Sequence, residues 1–365
     1  MTDADHSDPG RSPSDALLLA PFRVDPDLHR LASAPRWDSE RLLHQIIAQG
    51  LAPLWSEWAG QSDFGCTLPA DLRARLKGER RDAAGRYLLQ RRTATRASAS
   101  LTKAGVGCAF FKGAAVRERL YPQPSDRPAA DLDLLVAPKE RDRAVRVLCA
   151  AGFALQGIPD TVSHEISLLD SHASVDLHWG LFRPGRARFD LTPALLHTTR
   201  LEHGLPLVSD NANLLVLLVH PAFAKHVNGR AAKLIRVVDL DRILRTIEPD
   251  WDWILHLIDA AGLRTAAWAV LHWTRTLMDT PVDPTVLRHL APGRFQSRYL
   301  AYWIDHQLPA RLGGVPGLVQ GAFTLALHDR AGDAGRAVLE LGKARLESGR
   351  ILKHLQQIAV SPGES

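Results

Sequence analysis

The stretch FFKGAAVRERLYPQPSDRPAADLDLLV, residues 110–136, decides the fold. Its last residues are apolar enough for a buried strand, except for two charges at Asp131 and Asp133. Residues two apart on a strand point to the same face, so both carboxylates project together while Leu132 and Leu134 face the opposite side. Two neighbouring carboxylates repel each other unless a positive charge lies between them. A divalent cation meets that need, since Mg²⁺ binds oxygen ligands, typically one or two carboxylates plus substrate phosphates.

A third carboxylate, Asp176, lies in the apolar run SVDLHW between Val175 and Leu177. If this run forms a strand beside the first, three carboxylates converge, which is enough to hold two metal ions, Mg²⁺ or Mn²⁺. Two such ions can activate an attacking hydroxyl and stabilise a leaving phosphate. The simpler interpretation places Asp131 and Asp133 on an edge strand and Asp176 on a surface strand, all facing water.

The junction between strand and helix at Lys112 and Gly113 predicts an anion site. A helix N-terminus presents free N–H groups and the positive end of its dipole. Gly113 permits close backbone approach, and Lys112 adds a point charge for phosphates. Arg127, in the proline-bounded loop before the aspartates, could reach the same phosphates. A KG pair alone is uninformative, but KG, an arginine and DLD at this spacing form a much more specific pattern.

His178 and Arg236 are weaker candidates. His178 shares the face of Asp176 and could orient that carboxylate or touch an acceptor, although a packed, hydrogen-bonded strand residue is an equal interpretation. Arg236 lies on a helical stretch near the expected cleft, where it could bind substrate or simply pair with an acidic residue three positions on. His164 and Glu165 open a predicted hairpin, which favours a turn or cap role.

Periodicity places a mixed α/β unit around these residues. Strand, helix, strand, helix and a two-stranded hairpin follow one another from Gly105 to about Leu181, in β-α-β-α-β-β order. Helices precede this unit, and a weak hairpin in TTRLEHGLPLVS and further helices follow it. The expected class is α+β, a small mixed sheet with flanking helices and largely helical terminal regions. The expected divisions are a disordered tail at 1–15, a helical region at 16–104, the catalytic core at 105–210 and a helical domain at 211–360.

Bulk composition is that of a globular protein, with 365 residues, a net charge of +5 and an apolar fraction of 45%. No apolar run approaches the ~20 residues of a membrane span, and the acidic, polar N-terminus does not fit a signal peptide, so no membrane partner is expected. Cys66, Cys108 and Cys149 are odd in number and widely spaced, which argues against a disulfide framework. We expect a reducing, cytoplasmic location.

One segment is strongly basic, because residues 71–103 carry ten basic and three acidic side chains. Such a segment favours phosphate-rich partners, including nucleic acid, although a solvated helix face is the simpler explanation. It supports a second hypothesis, a non-catalytic protein of the same fold that docks nucleic acid or a partner protein through its basic helical region. The sequence carries no recognisable RNA-binding motif.

The order of strand, glycine-bearing turn, helix, Asp-x-Asp strand and later aspartate-bearing strand resembles the DNA polymerase β-like nucleotidyltransferase superfamily. More narrowly, the segments FFKG, DLDLLV and VDLHWGL, with HPAFAKH and LIRVVDLDRIL downstream, resemble a bacterial nucleotidyltransferase family. The hallmark of that family is LKG…R…DxDLLV…DLHW. The likeness covers residues 105–245.

The resemblance implies transfer of a nucleoside monophosphate from an NTP to an acceptor, with release of pyrophosphate. It implies metal ligation by Asp131 and Asp133, with Asp176 as a third ligand that helps to deprotonate the acceptor. Ala114 stands where the superfamily's Gly-Ser turn carries a serine. Lys112 and Arg127 would compensate for the missing hydroxyl. The acceptor stays open between a small molecule, a peptide, a protein and an RNA end, and so does the preferred nucleotide.

Overall fold

A seven-stranded mixed sheet surrounded by helices confirms the predicted α+β class. The computed structural model describes residues 15–24, 38–156, 164–223, 233–306 and 317–360. The tail predicted at 1–15 lies outside these ranges except for its last residue, and the C-terminal SPGES also lies outside them.

The strands of the sheet are short, and their spatial order differs from their order in the chain. They are β1 (Cys108–Phe110), β2 (Leu132–Val136), β3 (Ala154–Gln156), β4 (Glu165–Leu169), β5 (Ser174–His178), β6 (Arg200–Glu202) and β7 (Leu205–Leu207). Their order in the sheet is β3-β4-β5-β2-β1-β7-β6. β2 is parallel to β5 and antiparallel to β1, and β1 is parallel to β7. β2 therefore lies in the middle of the sheet, between β1 and β5.

Helices precede the sheet, connect its strands and follow it. Up to β4 they are α1 (Asp15–Leu19), α2 (Ser39–Ala48), α3 (Ala52–Gln61), α4 (Ala70–Lys103), α5 (Gly113–Leu120) and α6 (Arg141–Ala150). After β5 they are α7 (Thr192–His197), α8 (Asp210–Phe223), α9 (Ile235–Thr246), α10 (Trp251–Ala261), α11 (Arg264–Leu277), α12 (Pro284–Leu290), α13 (Arg294–Asp305), α14 (Gly317–Ala326) and α15 (Ala331–Val360). None of the described helices combines the length and apolarity that crossing a membrane requires.

The alternation of side chains along β2 separates a packed face from a polar one. Leu132, Leu134 and Val136 are fully buried and belong to a core that the sheet shares with α4 and α6. Because successive strand residues point to opposite faces, Asp133 projects from the other side. The strand is thus anchored by its leucines, and its carboxylate is held on the face where α5 begins.

The long helix α4 packs against the same face of the sheet as α6. Its residues Ala94, Ala97 and Leu101 are fully buried in the core that contains Leu134 and Val136. Burial of apolar surface of this kind contributes about 25 cal/mol per Å². The N-terminal helical segment is therefore packed directly on the sheet.

The two outer parts of the sheet are those with a weak sequence signal or none. β3 was not predicted, because three residues are too few to show a period of two; it pairs with β4 and makes the order β-α-β-α-β-β-β. The weak hairpin in TTRLEHGLPLVS is confirmed as β6 and β7. Leu207 of β7 pairs with Phe110 of β1, so this hairpin extends the central sheet.

Candidate active site

Lys112 lies in a strained turn between β1 and α5. Its backbone adopts φ 51° and ψ −135°, a region that residues other than glycine rarely adopt. The side chain of Asn213 on α8 holds this turn, since Lys112 N–H donates to Asn213 Oδ1 at 2.7 Å. Strain of this kind persists only where the surrounding structure over-determines it, and it clusters at functional sites. The strained turn at Lys112 therefore indicates a functional site at the junction between β1 and α5.

The ammonium group of Lys112 lies against Asp133. Lys112 Nζ donates to Asp133 Oδ1 at 2.7 Å, and His178 Nε2 lies 2.9 Å from the same oxygen. Burial disfavours the charged form of Asp133, but the Lys112 ammonium and the His178 contact outweigh burial and hold the pKa of Asp133 far below its usual range. Asp133 therefore stays ionised well into the acidic range.

The other two predicted carboxylates lie on the same side of the sheet. Asp176 is the register partner of Asp133 on the adjacent parallel strand and accepts a hydrogen bond from Ser167 Oγ at 2.6 Å. Burial, together with the charges of Asp133 and Asp176, raises the pKa of Asp131 to about 6. Burial also raises the pKa of Asp176. Both shifts arise chiefly from burial of the carboxylates.

The pKa of Asp131 predicts a pH-dependent effect of Asp131→Asn on stability. The folded carboxyl releases its proton near pH 6, but an unperturbed aspartate does so near 3.8. The raised pKa stabilises the folded protein at low pH; this stabilisation is complete below pH 3.8 and is lost as pH rises through about 6, by about 3 kcal/mol. Asn avoids that loss, so Asp131→Asn should raise the melting temperature at pH 8, in chelator, and by less at pH 5.

Asp142→Asn is the control of opposite sign, because hydrogen bonds from Arg141 and His354 outweigh burial and lower the pKa of Asp142. An Asp131→Asn advantage independent of pH would contradict the prediction.

His178 contacts Asp133, which agrees with the interpretation of a packed, hydrogen-bonded strand residue and not with the alternative that it orients Asp176. It is 0% exposed, and its ring packs edge-on against Phe111 at a centroid distance of 5.1 Å. Direct contact with an acceptor is therefore not supported by its position. The reason is the strand register, which places His178 opposite Leu135, two pairs beyond the aspartates.

Arg127 is held by a buried carboxylate on α9. Its Nη2 donates to Asp239 Oδ2 at 2.6 Å, and Tyr121 Oη donates to the other oxygen of Asp239 at 2.7 Å. Burial disfavours the charge on Arg127, but Asp239 outweighs burial and raises the pKa of Arg127. A Cβ added to Gly113 would lie 2.1 Å from Arg127 Nη1. Gly113 is thus required for the close approach of this guanidinium to the start of α5.

A cavity of about 520 Å³ unites these groups. Asp131, Asp133 and Asp176 line it together with Lys112 and Gly113. Its volume lies within the range of small-molecule sites. Apart from the buried His178, all the predicted site residues therefore meet at one cavity.

Basic side chains form a second part of the cavity wall. They come from the turn before α5, the loop after α5, the segment after β5 and the region around the start of α9. They are Lys112, Arg127, Arg183, Arg186, Lys233 and Arg236. Burial and the neighbouring charge of Arg127 lower the pKa of Arg236 to about 10, so Arg236 is a cation at neutral pH. Carboxylates and cations thus face one cavity.

Several residues of this site were missed by the sequence reasoning. Asn213, which was not singled out, fixes the Lys112 turn, and Asp239, considered only as a partner for Arg236, fixes Arg127. His164 and Glu165, expected to serve only as turn or cap residues, line the cavity. Buried polar residues in apolar helices, as in NANLLVLL and RVVDLDRIL, were the available signals for Asn213 and Asp239.

The basic segment of α4 is partly neutralised inside the protein. Four of its arginines form ion pairs with carboxylates of this chain, which reduces the charge available to an external partner. The pairs are Arg75–Glu40, Arg80–Asp126, Arg91–Glu118 and Arg96–Asp170.

A mixed sheet that presents carboxylates from neighbouring strands to a basic cavity is suited to the transfer of phosphorus-containing groups. The chain belongs to the family described as uncharacterised nucleotidyltransferase, which it matches over residues 35–279. This span contains the carboxylates, the Lys112 turn and all the basic wall residues. No curated protein matches the chain.

Proposed function

We propose that the protein transfers a nucleoside monophosphate from an NTP to an acceptor hydroxyl or phosphate and releases pyrophosphate. The observation that carries this proposal is the pairing of Asp133 with Asp176 on neighbouring parallel strands. It brings two carboxylates from separate parts of the sequence to a cavity that also contains Lys112. Membership of a nucleotidyltransferase family supports the class of reaction.

The carboxylates fit a pair of divalent ions. Mg²⁺ and Mn²⁺ prefer hard oxygen donors, and Asp131, Asp133 and Asp176 supply them from one wall. The raised pKa values of Asp131 and Asp176 mean that added positive charge is stabilising there. When bound, such ions supply Lewis-acid stabilisation of the attacking and leaving oxygens.

The remaining roles fall to this chain's own groups. With a hydroxyl acceptor, its oxygen forms a bond to the α-phosphorus, and the bond from that phosphorus to the oxygen bridging to the β-phosphate breaks. Pyrophosphate leaves with that electron pair. The acceptor proton passes to Asp176, which lines the cavity beside Asp133. Lys112, Arg127 and Arg236 bind the triphosphate and neutralise its charge.

Metal-dependent binding of nucleotide tests this proposal. We expect each NTP tested with Mg²⁺ or Mn²⁺ to raise the melting temperature more than either component alone. That gain should vanish when Asp131→Asn and Asp133→Asn are combined. Incubation with α-labelled NTPs and a lysate of the native host should then label an acceptor, which identifies the substrate. A melting temperature that responds to RNA alone, in a salt-sensitive way, would instead favour the non-catalytic binding protein.

Lys112→Ala should weaken NTP binding by roughly ten- to a hundred-fold, since a hydrogen bond to a charged group contributes about 1.5–3 kcal/mol. Its affinity for Mg²⁺ alone should not fall, because the Lys112 ammonium competes with a cation for Asp133. Isothermal titration with NTP and with Mg²⁺ measures both. Lys343→Ala, at an exposed lysine paired with Glu340, is the control. Unchanged NTP affinity in Lys112→Ala would mean that the turn does not hold the phosphates.

A further inference from the structure

Two histidines and a glutamate form a cluster beside the carboxylates. His164 precedes β4, Glu165 begins it, and His178 ends β5, where it pairs with Glu165 across the strands. Each offers a ligand atom, and these atoms all lie within 4.8 Å of one another. His178 Nδ1 lies 3.0 Å from Glu165 Oε2, and His164 Nε2 lies 3.5 Å from the same oxygen.

One ring nitrogen of each histidine in this cluster is buried without a hydrogen-bond partner. Nδ1 of His178 and Nδ1 of His164 are both buried without a hydrogen bond, and the His178 side chain is 1% exposed. Leaving such a nitrogen unsatisfied is costly. His178 Nδ1 forms no hydrogen bond although Glu165 Oε2 is only 3.0 Å away, so this contact does not have hydrogen-bond geometry.

The same contact has the spacing of two ligands on one metal ion. A transition-metal ion about 2.1 Å from a histidine nitrogen and a carboxylate oxygen, at about 90–110° between them, sets those atoms roughly 3.0–3.4 Å apart. The ion then lies off the line that joins the two atoms. A metal ion in that position would be bound by a lone pair of His178 Nδ1 that points to one side of Glu165. The missing hydrogen bond between these two residues is compatible with this arrangement.

We propose that His164, Glu165 and His178 bind one divalent transition-metal ion of the zinc class. Two imidazoles and one carboxylate select such an ion over Mg²⁺, which prefers oxygen ligands. Burial lowers the pKa of His164 to about 4, so this ring is neutral and available as a ligand at neutral pH. Glu165 has a 43% exposed side chain, which leaves a path for the ion to enter and room for water as a fourth ligand.

Such an ion would also affect the orientation of Asp133. With Nδ1 of His178 on the metal, the proton of the ring stays on Nε2, which donates to Asp133 Oδ1 at 2.9 Å. Carboxylates commonly orient metal-bound histidines in this way. The ion would fix the tautomer of His178 and thereby the orientation of Asp133. This inference does not depend on nucleotidyl transfer.

Metal stoichiometry tests the inference. The full-length protein is stripped with chelator, mixed with equimolar ZnCl₂, desalted and analysed for bound zinc; we expect about one ion per chain. CoCl₂ should give the visible absorption of Co²⁺ with nitrogen ligands. His164→Gln and Glu165→Gln should each lower zinc affinity at least about ten-fold, with circular dichroism and melting temperature confirming that both variants fold.

Two controls separate this site from others. His289→Gln removes a partly exposed histidine that lies 2.9 Å from Asp259 and should leave zinc binding unchanged. Asp176→Asn should weaken binding of Mg²⁺ and NTP but leave zinc bound. No bound zinc, or equal zinc affinity in the wild type and His164→Gln, would overturn the inference.

Discussion

Nucleotidyl transfer by Asp133→Asn should fall by at least about a hundred-fold while the protein remains folded. Loss of residues that only support metal ligands typically costs 10–100-fold in metal affinity or activity, and Asp133 is proposed as a ligand itself. Asn also loses the charge that attracts Lys112 Nζ at 2.7 Å. The measurement is the initial rate of label transfer from an α-labelled NTP to the acceptor identified in the lysate.

Asp170→Asn is a matched control for this result. Asp170 is as buried as a site residue, at 6% exposed, and it bonds to Thr93 at 2.7 Å in the turn between β4 and β5. It does not line the cavity, so this variant should lose some stability but retain transfer. Comparable transfer by wild type and Asp133→Asn, with both folded, would remove the two-metal proposal.

Asp239→Ala should be among the most destabilising single substitutions in this protein, at about 3–5 kcal/mol in the free energy of unfolding. Asp239 is 0% exposed, and it accepts hydrogen bonds from Arg127 and Tyr121. Its loss leaves a guanidinium with a 10% exposed side chain without a counter-ion. Urea denaturation followed by circular dichroism measures the change.

Two companion variants test the cause of that loss. Asp241→Ala, two residues along α9, removes a carboxylate paired with Arg245, whose side chain is 29% exposed, so the loss should be smaller because Arg245 can reach water. Arg127→Met combined with Asp239→Ala should recover much of the stability, since no buried charge is left unpaired. Equal losses in Asp239→Ala and Asp241→Ala would contradict this account.

The local pattern of residues 110–136 was enough to predict a strand, a turn, a helix and a second strand with paired carboxylates. These predictions succeeded because each depends on neighbours a few residues away, namely a period of two in LDLLV and a glycine at the start of a helix. The same reasoning missed β3, which is too short for any period. It also left the role of His178 open between orienting Asp176 and packing as a hydrogen-bonded strand residue, because side-chain alternation describes one strand and not its pairing.

The partners of the buried charges could not be read from the sequence. Asp239 lies 112 positions from Arg127, and Asn213 lies 101 positions from Lys112. Nothing local indicates such pairs, since a buried charge requires only some partner of opposite sign. Which partner it receives depends on how α8 and α9 pack beside the sheet.

The sequence by itself determined the α+β class, the two carboxylates of the DLD strand and the glycine turn that faces them, because these follow from backbone periodicity and local conformational preference. Only the tertiary structure decided that Asp176 lies beside Asp133, that Arg127 is locked by Asp239, and that His164 and Glu165 belong to the site. These contacts come from a parallel strand pairing and from helix packing, whose free energies arise between segments far apart in the chain.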